Sequence, residues 1–470
     1  MASRGVGGFQ RAADGRSAHR AKRAGRRAGR GSRGTTVAAS ALVAGLLLSG
    51  PVLSPASAAT GDGFWYFDAL NIAKAHDAGW TGEGVTIAVM DGPVNLEVPT
   101  LADADIDLRG PSGCFTDDGS ERIPVQSTDL VGPADARHGT DVVSLISGSG
   151  DGYPGQTGVK GVAPDAKVLY YTIFGSAEDK SEQVKCLDED GRESTDIVLA
   201  AAMDDAIDAG AAIISVSSLQ TPGPELYAAQ IRAVNAGVVV VGGMPNTGDV
   251  QFTAGWPGSA NGSVGVQAAD SSSTIATTDG LPNIDVATAV IAPGIGILTQ
   301  GDDAWEDQVL KNGTSLATPI VASFLALTAQ KYPDATGNQL VQNLIHTTGG
   351  ETHEPRLDET KTNGYGFASV TGMLANDPSQ YADENPLVRD TPEAIPTRAE
   401  FTAGYEAGTS PTPTAALPDG PTVDQSAFPV GVLVAIVVGV LVIAGIVVLV
   451  VVMSVRRAKS RDAGRTVGRS

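Results

Sequence analysis

A serine stands at the start of a predicted helix, within the segment Gly313-Thr314-Ser315-Leu316-Ala317-Thr318-Pro319. A hydroxyl at such a start can be exposed, and the N–H of the same residue can face a developing oxyanion with help from the helix dipole. The residues that follow have the spacing of a helix buried against a sheet, and Pro319 is expected in the first turn, where no N–H is missed. The segment therefore predicts a serine nucleophile on a rigid element, although a helix start without chemistry is the alternative.

Two further polar residues are predicted at the edges of regular elements. Arg137-His138-Gly139-Thr140 opens an apolar helical pattern, which predicts the imidazole of His138 at a junction between a loop and a helix. The continuous β-prone run 85–90 ends on Asp91 and is typical of a strand buried on both faces of a parallel sheet. Open α/β sheets carry their sites at the carboxyl ends of strands. A lone aspartate there is more often a cap or turn residue, but the three residues together favour a Ser-His-Asp triad.

These segments resemble the motifs of subtilisin-like serine proteases, the subtilases, whose triad runs in the chain order Asp, His, Ser. Residues 313–319 match the family's nucleophile motif G-T-S-x-A-x-P at every fixed position, and residues 138–140 match its histidine motif. Ala292-Pro293-Gly294 is similar to the segment that precedes the nucleophile, and Asn363-Gly364-Tyr365-Gly366 to the motif that closes the domain. The resemblance covers roughly residues 65–374 and implies a doubly wound, mostly parallel α/β fold.

The resemblance also implies a chemical role for each matching residue. Ser315 would be the nucleophile, His138 the general base and then the general acid, and Asp91 the group that orients the imidazolium. Asn246 follows a valine-rich strand and falls in register with the family's oxyanion side chain, with the Ser315 N–H as the second donor. The implied substrate is a polypeptide, and no cofactor is expected.

The substrate-binding segments depart from the family pattern. The family has an S-L-G edge strand that pairs with the substrate backbone, and the resemblance implies that a strand forms here too, with Leu219 in place of glycine. Pro245 replaces a flexible glycine and fixes φ near −65°. The family usually has Asp-Ser/Thr-Gly around its aspartate, whereas this chain has Asp91-Gly92-Pro93. The residues expected to bind substrate are Ser217, Ser218, Leu219, Gly243 and Met244.

The first 58 residues are predicted to be a secretory signal peptide. Residues 1–34 are rich in arginine and glycine, which alone could indicate nucleic-acid binding. An apolar run and the small-residue pattern Ala56-Ser57-Ala58 follow at once, so export is favoured and no nucleic-acid partner is expected. The peptidase domain is predicted to span residues 59–375. About thirty residues before Asp91 are too few for a folded inhibitory propeptide, and the aromatic lead 64–67 is expected to pack on the domain.

The other end of the chain predicts a membrane anchor. Residues 429–454 contain an uncharged apolar stretch that would span about 36 Å as a helix, enough for a bilayer. The basic segment 455–470 is expected in the cytoplasm by the positive-inside rule. Residues 376–428 are acidic and rich in Pro, Thr and Ala, as in an extended linker. The sequence thus predicts a single-pass type I protein of the cell membrane with its catalytic domain outside the cytoplasm.

Charge and cysteine content refine the picture of the exported part. Residues 59–454 carry 16 Lys/Arg against 51 Asp/Glu, which favours a strongly solvated surface. Calcium binding is the alternative, but no loop has a recognisable spacing of oxygen ligands, so no metal is predicted. Cys114 and Cys186 are the two cysteines of the chain, and an even count in an exported protein predicts a disulfide, with two free thiols as the alternative.

The overall architecture suggests a narrower group. The short lead, the acidic linker and the C-terminal anchor together resemble the mycosins, the membrane-anchored subtilases of actinobacterial type VII secretion systems. That resemblance implies partners among the membrane components of a secretion system. The alternative is a catalytically weak or inactive subtilase scaffold that binds or stabilises an envelope secretion complex. The departures at Pro93, Leu219 and Pro245 favour that alternative, whereas the complete set of triad residues argues against it.

Overall fold

The computed structural model describes residues 63–403 except for 111–112, 116–121, 127–132, 176–184, 187–194, 247–254, 279–280, 283–286 and 361. The chain divides into two units, residues 1–59 and 60–470, and every described residue belongs to the second. The predicted signal peptide, the linker beyond residue 403, the membrane segment and the basic tail lie outside the described residues. Within the described part, no helix has the length and apolar character needed to cross a membrane.

A seven-stranded sheet forms the centre of this unit, and every pair of neighbouring strands in it is parallel. Its spatial order is β13 (Thr288–Pro293), β10 (Val264–Ala269), β9 (Val239–Gly243), β8 (Ile213–Val216), β1 (Thr86–Asp91), β6 (Lys167–Thr172) and β2 (Ile106–Leu108). Four antiparallel ladders join β3 (Cys114–Phe115) with β7 (Lys185–Cys186), β4 (Ser149–Asp151) with β5 (Thr157–Lys160), β11 (Thr277–Thr278) with β12 (Leu281–Pro282), and β14 (Ile295–Gln300) with β15 (Gln308–Asn312).

Helices cover both faces of the sheet. In chain order they are α1 (Trp65–Ala69), α2 (Ile72–Asp77), α3 (Pro133–Ser147), α4 (Thr195–Asp208), α5 (Pro224–Asn235), α6 (Thr314–Lys331), α7 (Gly337–His346), α8 (Val370–Ala375) and α9 (Arg398–Ala403). One core lies between the sheet and α3 and α6, and a second lies between the sheet and α4 and α5. This confirms the predicted doubly wound α/β fold with a mostly parallel sheet.

Strand β1 shows why a continuous apolar run was needed. Ile87 and Val89 belong to the core on one face, whereas Ala88 and Met90 belong to the core on the other, and all four are fully buried. Successive side chains of a strand point to opposite faces, so a strand covered on both sides must be apolar at every position. The strand is apolar from Ile87 to Met90 and carries Asp91 at its carboxyl end.

The chain changes direction at β1, which has β6 on one side and β8 on the other. In open α/β sheets such a switch point leaves a crevice beyond the carboxyl ends of the strands, where ligands bind. Asp91 lies at this edge, and the residues that follow β8 and β9 reach the same edge because all three strands are parallel. The topology thus brings together segments that are far apart in sequence.

Both ends of the described unit pack against it. The aromatic lead is buried as predicted, with Tyr66 fully inaccessible. The segment 376–403 also packs on the domain, although the sequence predicted an extended linker from residue 376. The Asn261 side chain donates to the carbonyls of Arg389 and Pro396 at 3.1 and 2.8 Å and accepts from Arg389 N at 2.7 Å. One buried amide thus satisfies the backbone of a polar segment, and the packed unit continues beyond residue 375.

A disulfide joins Cys114 and Cys186, which confirms the pairing expected from the cysteine count. The two residues face each other across β3 and β7, and their sequence separation is 72 residues. In the chain-entropy account, closing a loop of this length stabilises the folded state by about 4 kcal/mol. Both half-cystines are buried and belong to a small cluster with Ile123 and Ala136, so the bridge lies beside the start of α3.

Candidate active site

Asp91 and His138 are in direct contact at the carboxyl edge of the sheet. The Nδ1 atom of His138 lies 2.7 Å from Oδ1 of Asp91, and the backbone N–H of Gly92 donates to the same oxygen at 2.7 Å. Asp91 is completely buried, whereas the His138 side chain is 41% exposed. A buried carboxylate therefore holds one edge of an imidazole whose other edge can reach solvent or substrate.

The contact determines which ring nitrogen of His138 carries the proton. An ionised carboxylate can only accept hydrogen bonds, so Nδ1 must donate, and the neutral ring is left with Nε2 as an acceptor. Burial lowers the pKa of His138, but the negative charge of Asp91 and the hydrogen bond to it outweigh burial, and the net pKa lies above the ordinary histidine value. The neutral imidazole is thus a stronger base than a free histidine.

The helix that carries His138 begins earlier than the sequence indicated. It starts at Pro133, a residue type favoured at the first helical position, so His138 lies in the second turn of α3 and not at its junction with a loop. Gly139 follows because no side chain fits there. A Cβ atom at this position would collide with the hydroxyl of Tyr170 and the carbonyl of Pro93. The Tyr170 hydroxyl in turn donates to Gly92 O at 2.7 Å, which ties β6 to the loop after Asp91.

Ser315 lies in the first turn of α6, as the sequence predicted. The preceding Gly313 faces the site directly, because a Cβ atom there would lie 3.1 Å from the Ser315 hydroxyl oxygen and 3.8 Å from the amide oxygen of Asn246. A side chain at residue 313 would therefore occupy the space next to the nucleophile. The same two distances show that the Ser315 hydroxyl and the Asn246 amide border one small volume beside Gly313.

Asn246 reaches the start of α6 despite the unusual proline before it. Its side-chain oxygen accepts a hydrogen bond from the backbone N–H of Thr314 at 3.0 Å, and the Thr314 hydroxyl donates to Met244 O at 2.7 Å. Because a backbone N–H can only donate, this contact identifies the oxygen of the Asn246 amide, and the NH₂ group is the part able to donate to an oxyanion. Pro245 does not prevent the side chain from reaching the site.

Pro319 lies in the second turn of α6 and not in the first, so its missing N–H has a consequence. In a regular helix that N–H would bond the carbonyl four residues earlier, which is the carbonyl of Ser315. The Ser217 hydroxyl takes this place and donates to Ser315 O at 2.9 Å. A proline in the nucleophile's helix and a serine after β8 together fix the backbone of Ser315.

The other predicted substrate-binding residues lie near this edge in different environments. The sequence predicted a strand over residues 217–219, but β8 ends at Val216 and these residues follow it without forming a regular strand. A Cβ atom at Gly255 would lie 2.6 Å from the Pro245 ring and 3.4 Å from Leu219, so these three residues converge. Ser218 Oγ lies 3.3 Å from the side-chain nitrogen of Gln220.

Two predicted pocket residues lie deeper than the surface. Met244 is fully buried, and its sulfur would lie 2.7 Å from a Cβ atom at Gly265. Gly243 lies against α6, where a Cβ atom would approach the hydroxyl oxygens of Thr318 and Thr314 to 3.2 and 3.3 Å. Both residues therefore pack beneath the start of α6.

The sequence reasoning missed an ion pair beside the site. Lys311 Nζ lies 2.7 Å from Asp141 Oδ2, and the side chain of Asp141 is only 3% exposed. Burial raises the pKa of Asp141 to about 6, although the charge and hydrogen bond of Lys311 oppose that shift. The pairing could not be found from spacing because its members are 170 positions apart. In the described residues, no group of three or more His, Cys, Asp or Glu side chains could hold a metal ion.

The arrangement has the parts needed for acyl transfer. A hydroxyl at a helix start provides a nucleophile, and an imidazole oriented by a buried carboxylate can take up and return a proton. The N–H of Ser315 and the Asn246 amide are donors for a negatively charged oxygen. The hydrogen bonds around Ser315 hold these groups in place before any substrate binds.

Comparison with known proteins identifies relatives of this chain. The model of the Subtilase family matches residues 82–368. The thermostable alkaline protease of Halalkalibacterium halodurans is 30% identical over 286 residues, which cover 60% of this chain and 67% of that protein. Fervidolysin from Fervidobacterium pennivorans, a keratinolytic enzyme related to subtilisin, has a TM-score of 0.50 at 22% identity over 66% of this chain and 45% of its own, a likeness of fold.

A solved structure from a secretion system is also similar. MycP1 from the ESX-1 type VII secretion system is 20% identical, with a TM-score of 0.48 over 69% of this chain and 88% of that one. A similarity at this level supports no conclusion about activity or partners.

Proposed function

This chain belongs to the subtilase family, and we propose that it is a membrane-anchored extracytoplasmic endopeptidase that hydrolyses polypeptides through Asp91, His138 and Ser315. That it is a serine protease follows from the family and its relatives. The assignment of the three residues is supported above all by the 2.7 Å contact between His138 Nδ1 and the buried Asp91 carboxylate. A buried carboxylate bonded to Nδ1 of a partly exposed imidazole is the arrangement that orients a general base in acyl transfer.

In the proposed reaction, Ser315 Oγ attacks the carbonyl carbon of the scissile bond while His138 Nε2 removes the hydroxyl proton. Asp91 stabilises the imidazolium that forms, and the Asn246 amide and the Ser315 N–H stabilise the oxyanion. His138 then gives its proton to the leaving amine, and an acyl ester remains on Ser315. Water activated by His138 hydrolyses the ester and restores the enzyme.

Peptide hydrolysis by the full-length protein in detergent tests this proposal. Purified wild type is incubated with a library of quenched fluorescent peptides, with Ser315→Ala as the matched control. We expect cleavage by wild type only. If folded wild type cleaves no peptide and does not differ from Ser315→Ala, the alternative of an inactive binding scaffold replaces the proposal, and the convergence of Leu219 and Pro245 beside Gly255 would be the obstruction to examine first.

The proposed membrane topology rests on the sequence of residues 429–470. An apolar stretch followed by a basic tail favours an outer catalytic domain and an inner tail. Protease added to intact protoplasts should remove the domain and leave a C-terminal epitope protected. Digestion of that epitope would contradict the orientation.

The proposed association with a type VII secretion system rests on three sequence features taken together: the short lead before Asp91, the acidic linker and the predicted membrane anchor. Affinity purification of Ser315→Ala from solubilised membranes tests it, because this variant cannot cleave its own partners. Secretion-system membrane proteins should be recovered with it in defined ratio. Their absence from the purified material, with the protein itself intact, would remove this part of the proposal.

A further inference from the structure

The strand that leads to Ser315 is part of a hairpin that lies against the helix of His138. Strands β14 and β15 form this hairpin, and β15 ends at Asn312, directly before Gly313. Any sliding of the hairpin would therefore move the nucleophile. The Ser217 and Asn246 contacts hold the start of α6 on the sheet side, but neither of them connects the hairpin to α3.

Two ion pairs make that connection. Arg137 Nη1 lies 3.2 Å from Asp302 Oδ1, and Lys311 Nζ lies 2.7 Å from Asp141 Oδ2. The helix supplies one cation and one anion, and the hairpin supplies their opposites. Arg137 and Asp141 are four residues apart on α3, so they share one face of the helix, with His138 between them in sequence.

The alternation of charge makes the pairing specific. If the hairpin shifted so that its charges exchanged partners, Lys311 would face Arg137 and Asp302 would face Asp141. Like charges brought together in this way cost free energy, so only one register satisfies both pairs. The second pair is also shielded, since Asp141 is 3% and Lys311 26% exposed. Removing Lys311 would leave the buried Asp141 carboxylate without its counter-charge.

We propose that Asp141 and Lys311 are positioning residues of the enzyme: their ion pair holds the strand that carries the nucleophile in register with the helix that carries the base. This inference rests on the function proposed above, and it assigns neither residue a contact with substrate. The Arg137–Asp302 pair supports the same register from a more exposed position, since the side chain of Arg137 is 26% exposed and that of Asp302 is 45% exposed.

Electrostatics provides a signature that packing alone would not produce. The charges that act on His138 are Asp91 at the end of β1, Asp141 on its own helix and Lys311 on β15. The two carboxylates raise the pKa of His138, and Lys311 lowers it. Neutralising Asp141 must therefore shift the titration of His138 to lower pH, whereas neutralising Lys311 also raises the pKa of Asp141 and so sets no single direction. A general loosening of the fold would not produce this directed shift in Asp141→Asn.

The test uses Asp141→Asn, Lys311→Gln and the double variant in the full-length protein. Asp204→Asn is the matched control, because it breaks the 2.7 Å Arg232–Asp204 ion pair between α4 and α5. One readout is the rate at which a fluorophosphonate acylates Ser315. The other is the titration of His138 in isotope-labelled protein by nuclear magnetic resonance, with His138→Gln used to identify its signal.

Each single variant should slow acylation about 10- to 100-fold, as small misplacements of reacting groups do. The acylation rate of the double variant should fall by less than the product of the two single-variant factors, because either single substitution already removes the ion pair. The control should stay within about twofold of wild type. Losses that multiply in the double variant, together with a His138 titration that does not move to lower pH in Asp141→Asn, would overturn the inference.

The outcome for this pair is separable from that for the proposed function. If wild type is not acylated at all, the proposed function fails, while coupling between Asp141 and Lys311 is still read from the His138 titration and from the thermal unfolding of the same four proteins. If a neutral variant does not fold, Lys311→Arg keeps the charge and replaces Lys311→Gln. Acylation within about tenfold of wild type is then expected, and a larger loss with an unchanged fold would contradict a role for the charge.

Discussion

The two sides of the active site are built by different kinds of interaction. On the side of Asp91 and His138, a fully buried carboxylate and an exposed imidazole share a charged hydrogen bond. On the side of Ser315, neutral hydrogen bonds link side chains to the backbone: Ser217 to Ser315 O, and the Thr314 N–H to Asn246. In the proposed mechanism, the first side would control protonation and the second would control position. Substitutions on the two sides should therefore differ in how far they lower kcat and in how they change its pH dependence.

Replacing Asp91 by asparagine should cause a larger loss than any substitution on the side of Ser315 that keeps the Ser315 hydroxyl. An amide at this position can donate to Nδ1 of His138, which selects the wrong tautomer and removes the charge that stabilises the imidazolium. We expect kcat to fall about 10⁴-fold with little change in KM, as in other proteases with this arrangement. Steady-state kinetics on one peptide substrate measure the loss. A decrease below tenfold would show that Asp91 does not orient the base.

Replacing Asn246 by alanine tests the opposite side. It removes the side-chain donor proposed for the oxyanion, and in subtilisin the loss of such a donor costs roughly 10² to 10³ in kcat. We expect a loss in that range, again without a large change in KM, because the donor acts mainly in the transition state. An unchanged kcat in a folded protein would mean that another group serves the oxyanion.

Replacing Ser217 by alanine should have a smaller effect on the same side. The change leaves Ser315 O without the hydroxyl that replaces the missing N–H of Pro319. A buried carbonyl without a hydrogen-bond partner costs about 1 to 3 kcal/mol of folding free energy. We expect the backbone at Ser315 to shift in response, which would move its hydroxyl away from the reactive position. We expect kcat to fall about tenfold. Ser323→Ala, which removes a hydroxyl that donates to Pro319 O farther along α6, is the control and should stay within about twofold of wild type. Equal losses in the two variants would contradict the role of the Ser217 hydroxyl.

The pH profile distinguishes the two sides independently of the size of the rate loss. The pKa of His138 is raised, so its imidazole stays protonated, and inactive as a base, to higher pH than a free histidine. The acid limb of kcat/KM should therefore lie above about 6.5, and it should move to lower pH in Asp91→Asn but stay in place in Asn246→Ala. The same raised pKa stabilises the fold below about 6.5, and this contribution is lost as pH rises through the folded-state value. An acid limb that moves in Asn246→Ala would break the distinction.

The fold could be predicted largely because its signals are local. Burial can be predicted directly from the apolar run that ends on Asp91 and from the apolar spacing after Ser315. The family motifs indicate the order of the elements along the chain. The packing of residues 376–403 could not be predicted, because it depends on contacts with distant parts of the chain. Asn261 bonds the backbone of this segment, Thr336 and Asn338 donate to Asp383, and Leu387 is buried in the core. A polar composition indicates an extended linker equally well.

The finer structure of the site depends on contacts between distant residues. Sequence spacing predicted Pro319 in the first turn of its helix, and the structure places it one turn later, where only the Ser217 hydroxyl completes the backbone. The pairing of Asp141 with Lys311 has no sequence signature, since each residue alone is an ordinary surface type. Such pairs are decided by which elements the topology brings together.

Site-specific labelling by a fluorophosphonate is the most direct test of an activated serine at residue 315. Wild type, His138→Ala and Ser315→Ala are treated at pH 8, digested and analysed by mass spectrometry. We predict that wild type carries the phosphonyl group on Ser315 alone, that His138→Ala reacts at least about 10³-fold more slowly, and that Ser315→Ala does not react. A folded wild-type protein without label, or with label on another serine, would contradict the account.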